Sequence, residues 1–226
     1  EAVLLFYHQN ESRAYALHDL EYEFCRVKDI QASVERAKRG ATLDEVELFE
    51  MKVFSRIIGE LLRKLKEIEV PQGFKLYSLE TLEKRLDPEG TGILTFYIYD
   101  AYSEELTGIR KEKRELEERI YQTKEEERAP LFEQRAELVV QEEEEERKIR
   151  KELSRDVEEE ADELLHNMDA IAKLDHWIAK AKLAMAYGGV MPTLLHEPEI
   201  HLVEASSPMM EDYLREELAS FQKLDI

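Results

Sequence analysis

One cysteine, Cys25, is too few for an internal disulfide, so only the backbone and non-covalent contacts hold this chain together, and a reducing cytosol suits it. No apolar run reaches the about eighteen residues that a membrane-spanning helix needs. There is no G-x-x-x-x-G-K-[ST] and no G-x-G-x-x-G, hence no phosphate cradle. Helix breakers are scarce: between Tyr102 and Met168 the only glycine is Gly108 and the only proline is Pro130. That scarcity excludes a string of short strands and turns there. Positive charge is short as well, with 32 Lys and Arg against 52 Asp and Glu and a net charge of -20. Such a balance repels phosphate backbones.

What is present is a helix-forming, charge-rich chain of 226 residues whose 43% hydrophobic content supports a real core in one or two domains. Its charged fraction of 37% exceeds the usual ~25%, as long exposed helices require. Residues 101–165 hold 23 acidic and 13 basic side chains, about half of the surplus. Leu106, Ile109, Lys113, Leu116, Ile120 and Thr123 recur at steps of three and four, the seam of a helix facing a partner. After Pro130 a second seam runs through Leu131, Leu138, Ile149, Leu153, Val157 and Leu164. Proline fits a first helical turn and disrupts an interior, so Glu127-Arg128-Ala129-Pro130 is read as the bend of an antiparallel hairpin with sides of ~40 Å. That register brings Ile120 to Val139, Lys113 to Glu145 and Glu146, and Leu106 to Leu153. Gln141 and the run Glu142 to Glu146 read as a solvated face, which thins the distal seam. A single solvated helix or an acidic disordered run is the alternative.

The remaining stretches read as what supports this hairpin. Leu17, Leu20, Phe24, Val27, Ile30, Val34 and Ala37 lie at helical spacing, with a stop at Gly40. Thr42 with Glu45 has capping-box spacing for a helix to about Ile68, whose stripe is Val46, Phe49, Val53, Ile57, Leu61 and Leu65. Ser78 caps a short helix over 79–86, and Asp87-Pro88-Glu89-Gly90-Thr91-Gly92 is a turn. Ile93 to Tyr99 is of strand type, or an extended segment against helices. Asp100 or Ser103 starts the hairpin. The return helix could run unbroken from Leu131 to Tyr187. Val190 to Pro208 is extended, and Glu211 to Phe221 is a last helix. The expected class is thus mainly α, a helical core bundle with a long projecting antiparallel coiled-coil arm and few short strands. Its parts are a helical core over 1–100, the arm over 101–168, a helix returning to the core over 169–190, and an extended segment with a short helix over 191–226.

Sites of chemistry are few. His196-Glu197 with His201 is one residue too long for H-E-x-x-H, and Pro198 interrupts it. His166 and His176 share no helical face. Cys25, among apolar neighbours, reads as a buried small residue. Trp177 on an alanine-rich helix is core filling or a base-stacking platform. No catalytic, cofactor or metal residue is expected in this stretch, and no enzyme activity of its own. Lys111, Lys113 and Arg114 form a dense cationic group; with Arg128 they are the candidate contacts for DNA or a partner.

Asp29-Ile30, Arg39-Gly40-Ala41-Thr42, the run Tyr97-Ile98-Tyr99-Asp100-Ala101-Tyr102-Ser103-Glu104-Glu105-Leu106, then Ile109-Arg110-Lys111-Glu112 and Leu116-Glu117, resemble the core and lever region of MutS-family DNA mismatch-repair ATPases. Glu204-Ala205-Ser206-Ser207-Pro208 resembles the approach to that family's ATPase domain, and Leu224-Asp225-Ile226 the strand before its P-loop. Ser206-Ser207 stand where Arg-His is usual, and neither the β-rich clamp nor the Phe-x-Glu wedge has a counterpart. Glu1 in place of methionine, and the strand-like Leu224-Asp225-Ile226, are read as cut ends. The resemblance implies a lever that carries conformational change between a nucleotide domain and the arm. It implies ATP and Mg in the full-length parent, a homodimer around DNA, and a cytoplasmic location. The acidic arm raises a different expectation, a scaffold that binds a protein partner.

Overall fold

The computed structural model describes residues 14–68, 70–90, 92, 97–196 and 198–217. It is mainly α, and no β-strand occurs among the described residues. The strand-type reading of 93–96, the strand at 224–226 and the last helix beyond Glu217 lie outside them. The chain divides into two units, one within Gln9–Asp175 and one within His176–Ile226.

The first unit begins with α1 (Ala14–Arg26) and α2 (Gln31–Lys38). The even helical spacing over 14–38 is broken between them: the Asp29 carboxylate accepts the Gln31 N–H at 2.9 Å, a local turn that competes with helix. Cys25 is exposed, not buried, because it lies away from the Leu17, Leu20 and Ile30 side that meets the core. α3 (Glu45–Lys64) starts two residues later than Thr42 suggests. Asp44 Oδ1 accepts the Glu47 N–H at 2.8 Å and Glu47 Oε2 accepts the Asp44 N–H at 3.1 Å, a complete capping box. The shift releases Leu43 into the core, where its N–H donates to Ser154 Oγ at 2.8 Å.

The apolar side of α3 also differs from the expected stripe. Leu48, Met51, Phe54, Ile57, Ile58 and Leu61 are buried, whereas Val46 is 63% exposed. Ile57 and Leu61 belong to both stripes; packing against α1 and α4 (Glu80–Leu86) selects the side carrying Leu48, Met51 and Phe54. Each such side chain contributes about 1.5–3 kcal/mol of transfer free energy when fully buried. Ser78 Oγ accepts from Glu80 N–H at 3.4 Å beside the start of α4.

α5 (Glu104–Gln122) and α6 (Ala129–Glu159) lie side by side and antiparallel, with Leu106, Ile109, Leu116, Ile149 and Leu153 buried. Ser103 is the N-cap of α5, its Oγ accepting from Leu106 N–H at 3.3 Å. The connection turns earlier than Pro130. It spans Thr123 to Arg128 with a 3-10 turn at Glu125–Glu127, and Pro130 sits in the first turn of α6. Thr123 ends α5, and Arg128 Nε donates to its carbonyl at 2.8 Å. Moving the bend moves the register: Lys113 meets Glu142, one turn before Glu145 and Glu146. α6 does not continue as one rod to Tyr187. It stops at Glu159, Glu160 leaves helical geometry at φ -98° and ψ 11°, and α7 (Ala161–Ala186) begins.

Beyond Ile149 the second half of α6 packs on α2, α3 and α4. Arg85 Nε donates to Asp156 at 2.8 Å, and Lys38 reaches Asp162 at 2.9 Å. Buried Asn167 on α7 holds the extended segment before α4 by the backbone of Tyr77.

In the second unit, α7 ends at a left-handed Gly188 with φ 62°. Gly189 N–H closes back on the Ala184 carbonyl at 2.6 Å, the closure that a glycine at this position allows. The Tyr187 hydroxyl donates to Asp212 of α8 (Pro208–Glu216). The described residues between them have no helix or strand, in keeping with Pro192 and Pro198.

Candidate functional site

The densest charged constellation lies where α5 and α6 meet the rest of the first unit. Arg110, two turns into α5, points between the helices with its side chain 18% exposed. Its Nε donates to Glu142 at 2.9 Å, one Nη to Glu146 at 2.8 Å, and the other to the Ile98 carbonyl at 2.7 Å and to Asp100. One rigid guanidinium therefore ties three segments, and its planar fork suits that task better than an ammonium would.

The charges continue in alternating sign. Lys113 also holds Glu142, while Arg150 pairs with Glu146 at 4.0 Å and with Glu45 in the first turn of α3. Glu45 is favourably placed there by the helix dipole. A second tie runs through Ser103, whose hydroxyl donates to Glu145 Oε1 at 2.7 Å while its oxygen caps α5. Ser154 repeats the pattern one face away, donating to the Arg150 carbonyl at 2.7 Å and accepting from Leu43 N–H.

Electrostatics follow from this geometry. Burial alone would raise the Glu142 carboxyl, but hydrogen bonds from Lys113 and Arg110 hold it below the ordinary carboxylate value. Glu145 is lowered by its bonds from Lys148 and Ser103. Arg110, although desolvated, is raised by Asp100, Glu142 and Glu146. The acidic run is thus not a uniformly solvated face. Glu143 and Glu144 face water, but Glu142, Glu145 and Glu146 turn inward. A pattern was available in the sequence: Arg110 and Lys113 three apart on one helix match Glu142, Glu146 and Arg150 four apart on the other.

The four candidate contact cations do not form one surface. Lys111 is exposed and 3.9 Å from Glu115 on its own helix; Lys113 is held against Glu142; Arg114 is exposed. Arg128 is half-buried at the connection and spends its Nε on the Thr123 carbonyl. The only free cation among these four is therefore Arg114, beside Glu115, Glu117 and Glu118.

Elsewhere in the unit, a cleft of about 620 Å³ between α3 and α4 is lined by Arg56, Arg63, Glu60, Glu83 and Asp87. Burial raises the Glu83 carboxyl, and Arg56 and Arg63 pull it back. Among the described residues no three His, Cys, Asp or Glu side chains converge on a point that could hold a metal ion. His166 Nε2–H donates to the Lys75 carbonyl at 3.1 Å and its ring meets Tyr77 edge-on, while His196 and His201 are exposed. Trp177 is half-buried. No helix among the described residues is long and apolar enough to cross a membrane.

What the constellation can do chemically is clamp. The Ser103 hydroxyl is held between Glu145 and the first turn of α5, and Asp100, Glu142, Glu145 and Glu146 are each paired with a cation. A rotation of α5 against α6 must break the contacts of Arg110 or carry residues 98–100 and the start of α3 with it. No family model and no curated protein matches this chain.

Proposed function

We propose that the chain is a mechanical coupling element, a MutS-like core and lever in which α5 and α6 form a projecting arm and the Arg110 constellation carries its movement to the core. The observation that carries this reading is the continuous alternation Asp100, Arg110, Glu146, Arg150, Glu45, which links the segment before α5, both arm helices and the first turn of α3. The resemblance of Tyr97 to Leu106 and of Ile109 to Glu112 to the family's lever supplies the partners at either end: a nucleotide domain binding ATP and Mg, and DNA enclosed by a homodimer. Such a parent would hydrolyse ATP; this stretch would not, and it would work in the cytoplasm.

The gene tests the family part of this reading. A G-x-x-x-x-G-K-[ST] encoded within about twenty codons after Ile226 supports it; a reading frame without one contradicts it.

The charge favours a second reading for the arm's ligand, a protein in place of DNA. With Lys113 and Arg128 engaged internally, the exposed surface of α5 and α6 is dominated by carboxylates. Pull-down of basic, not acidic, peptides from an arrayed set at low salt would support it.

A further inference from the structure

Between α5 and α6, on the side of the connection, a groove of about 410 Å³ runs along the two helices. α5 lines it with Glu112, Glu115, Leu116 and Arg119, which are i, i+3, i+4 and i+7 of one helical face. α6 faces them with Gln134, Glu137, Leu138 and Gln141, the same steps on the antiparallel helix. Leu116 and Leu138 thus share one floor between polar rims. Leu116 is the last buried residue before the connection, and none from 117 to 144 is buried; Ile120, Leu131, Leu138 and Val139 are each half-buried. In a complete two-helix seam the facing apolar side chains close over one another. Here Leu138 keeps part of its surface open to the groove.

The rims narrow the occupant. Glu112 and Glu137 have no ion-pair partner among the described residues, and Glu115 meets Lys111 at 3.9 Å with both side chains exposed. Three carboxylates therefore stand against one guanidinium, Arg119, at the end nearer the connection. A nucleic acid or a second copy of this acidic arm is repelled there. A helix with an apolar stripe flanked by Lys or Arg matches both features of the site. Its apolar side chains, recurring at three- and four-residue steps, fit a groove of the same period, and its cations meet the unpaired carboxylates. Such a helix adds a third element to a two-helix arm and takes Leu138 out of water.

We infer that the groove floored by Leu116 and Leu138 is a docking site for a basic amphipathic helix of a partner protein. This rests on the protein-ligand reading of the arm, and adds to it the place and the form of the ligand. The probe is a fluorescent synthetic helix of about 18 residues, with leucines at steps of three and four and lysines beside them. Anisotropy with the whole chain should give a Kd of about 1–50 µM. A peptide of the same composition with its leucines redistributed should bind at least about tenfold more weakly. Glu112→Gln with Glu137→Gln, both at exposed positions, should weaken the patterned peptide about two- to thirtyfold with an unchanged circular dichroism spectrum. Leu138→Gln should weaken it by about tenfold. Equal binding of the patterned and redistributed peptides overturns the docking site while leaving the arm a binder of basic protein; binding of neither overturns both. Patterned binding that is unchanged in both variants also overturns the site, because the helix then sits elsewhere.

Discussion

Asn167 and Tyr77 are joined by two hydrogen bonds: Oδ1 of the fully buried amide accepts the Tyr77 N–H at 2.8 Å, and Nδ2 donates to the Tyr77 carbonyl at 2.9 Å. A side chain here does what a neighbouring strand would do, satisfying both backbone groups of an extended residue. Asn167→Leu keeps the volume and strands both. We expect a loss of about 2–4 kcal/mol, read as a lower urea midpoint with unchanged slope. A change under about 0.5 kcal/mol would mean that water reaches the Tyr77 backbone.

The capping box of α3 gives a smaller and cleaner effect. Asp44→Ala should cost about 1 kcal/mol, whereas Thr42→Ala should cost much less, because Asp44 and not Thr42 accepts the Glu47 N–H. Paired denaturation curves decide between the two positions.

Acid should weaken the first unit. Glu23, Glu142 and Glu145 are held below the ordinary carboxylate value; for Glu23, burial opposes and Lys64 and Arg26 more than compensate. A depressed carboxylate stabilises the fold above its unfolded pKa of about 4.3, and that stability is lost as pH falls through the lower folded value. Glu83 and Glu160, raised mainly by burial, act in the opposite sense and soften the slope. Thermal unfolding should therefore shift downward below about pH 4.5, and Glu142→Gln should flatten that dependence. An acid limb unchanged in Glu142→Gln would show that this carboxylate is not depressed.

Trypsin should find the α5–α6 connection at Lys124 before Arg128. Lys124 is exposed, whereas Arg128 is half-buried and bonded to the Thr123 carbonyl. Mass spectrometry of early digests reads the order, and first cleavage at Arg128 would contradict it.

DNA should bind weakly. With -20 net charge and Lys113 and Arg128 committed internally, there is no counterion-release gain. Anisotropy with mismatched and plain duplexes at low salt should show no submicromolar, salt-sensitive binding; finding it would remove the protein-ligand reading of the arm.

Much of this fold was legible because helices announce themselves by period: the Leu106, Ile109 and Leu116 seam and the Ser103 cap are where spacing places them. Boundaries decided by local hydrogen bonds were less so. Thr42 and Asp44 both suit an N-cap, and only the burial of Leu43 chooses between them. The α3 stripe failed for a related reason, since Val46 and Leu48 fit two overlapping apolar faces and tertiary packing selects one. Arg110 escaped notice as a site because each of its partners, Asp100, Glu142 and Glu146, is ordinary in sequence. Their significance arises only when the bend at Thr123 sets the register.

The direct test of coupling is a distance distribution between spin labels on α5 and just past the end of α2. In a Cys25→Ser background, Tyr121→Cys and Arg39→Cys place labels at two exposed positions of the first unit. Pulsed dipolar spectroscopy should give one narrow distribution with Arg110 intact and a broad one in Arg110→Met, where Asp100, Glu142 and Glu146 lose their common partner. A broad distribution in the parent protein, or an equally narrow one after Arg110→Met, would contradict the account.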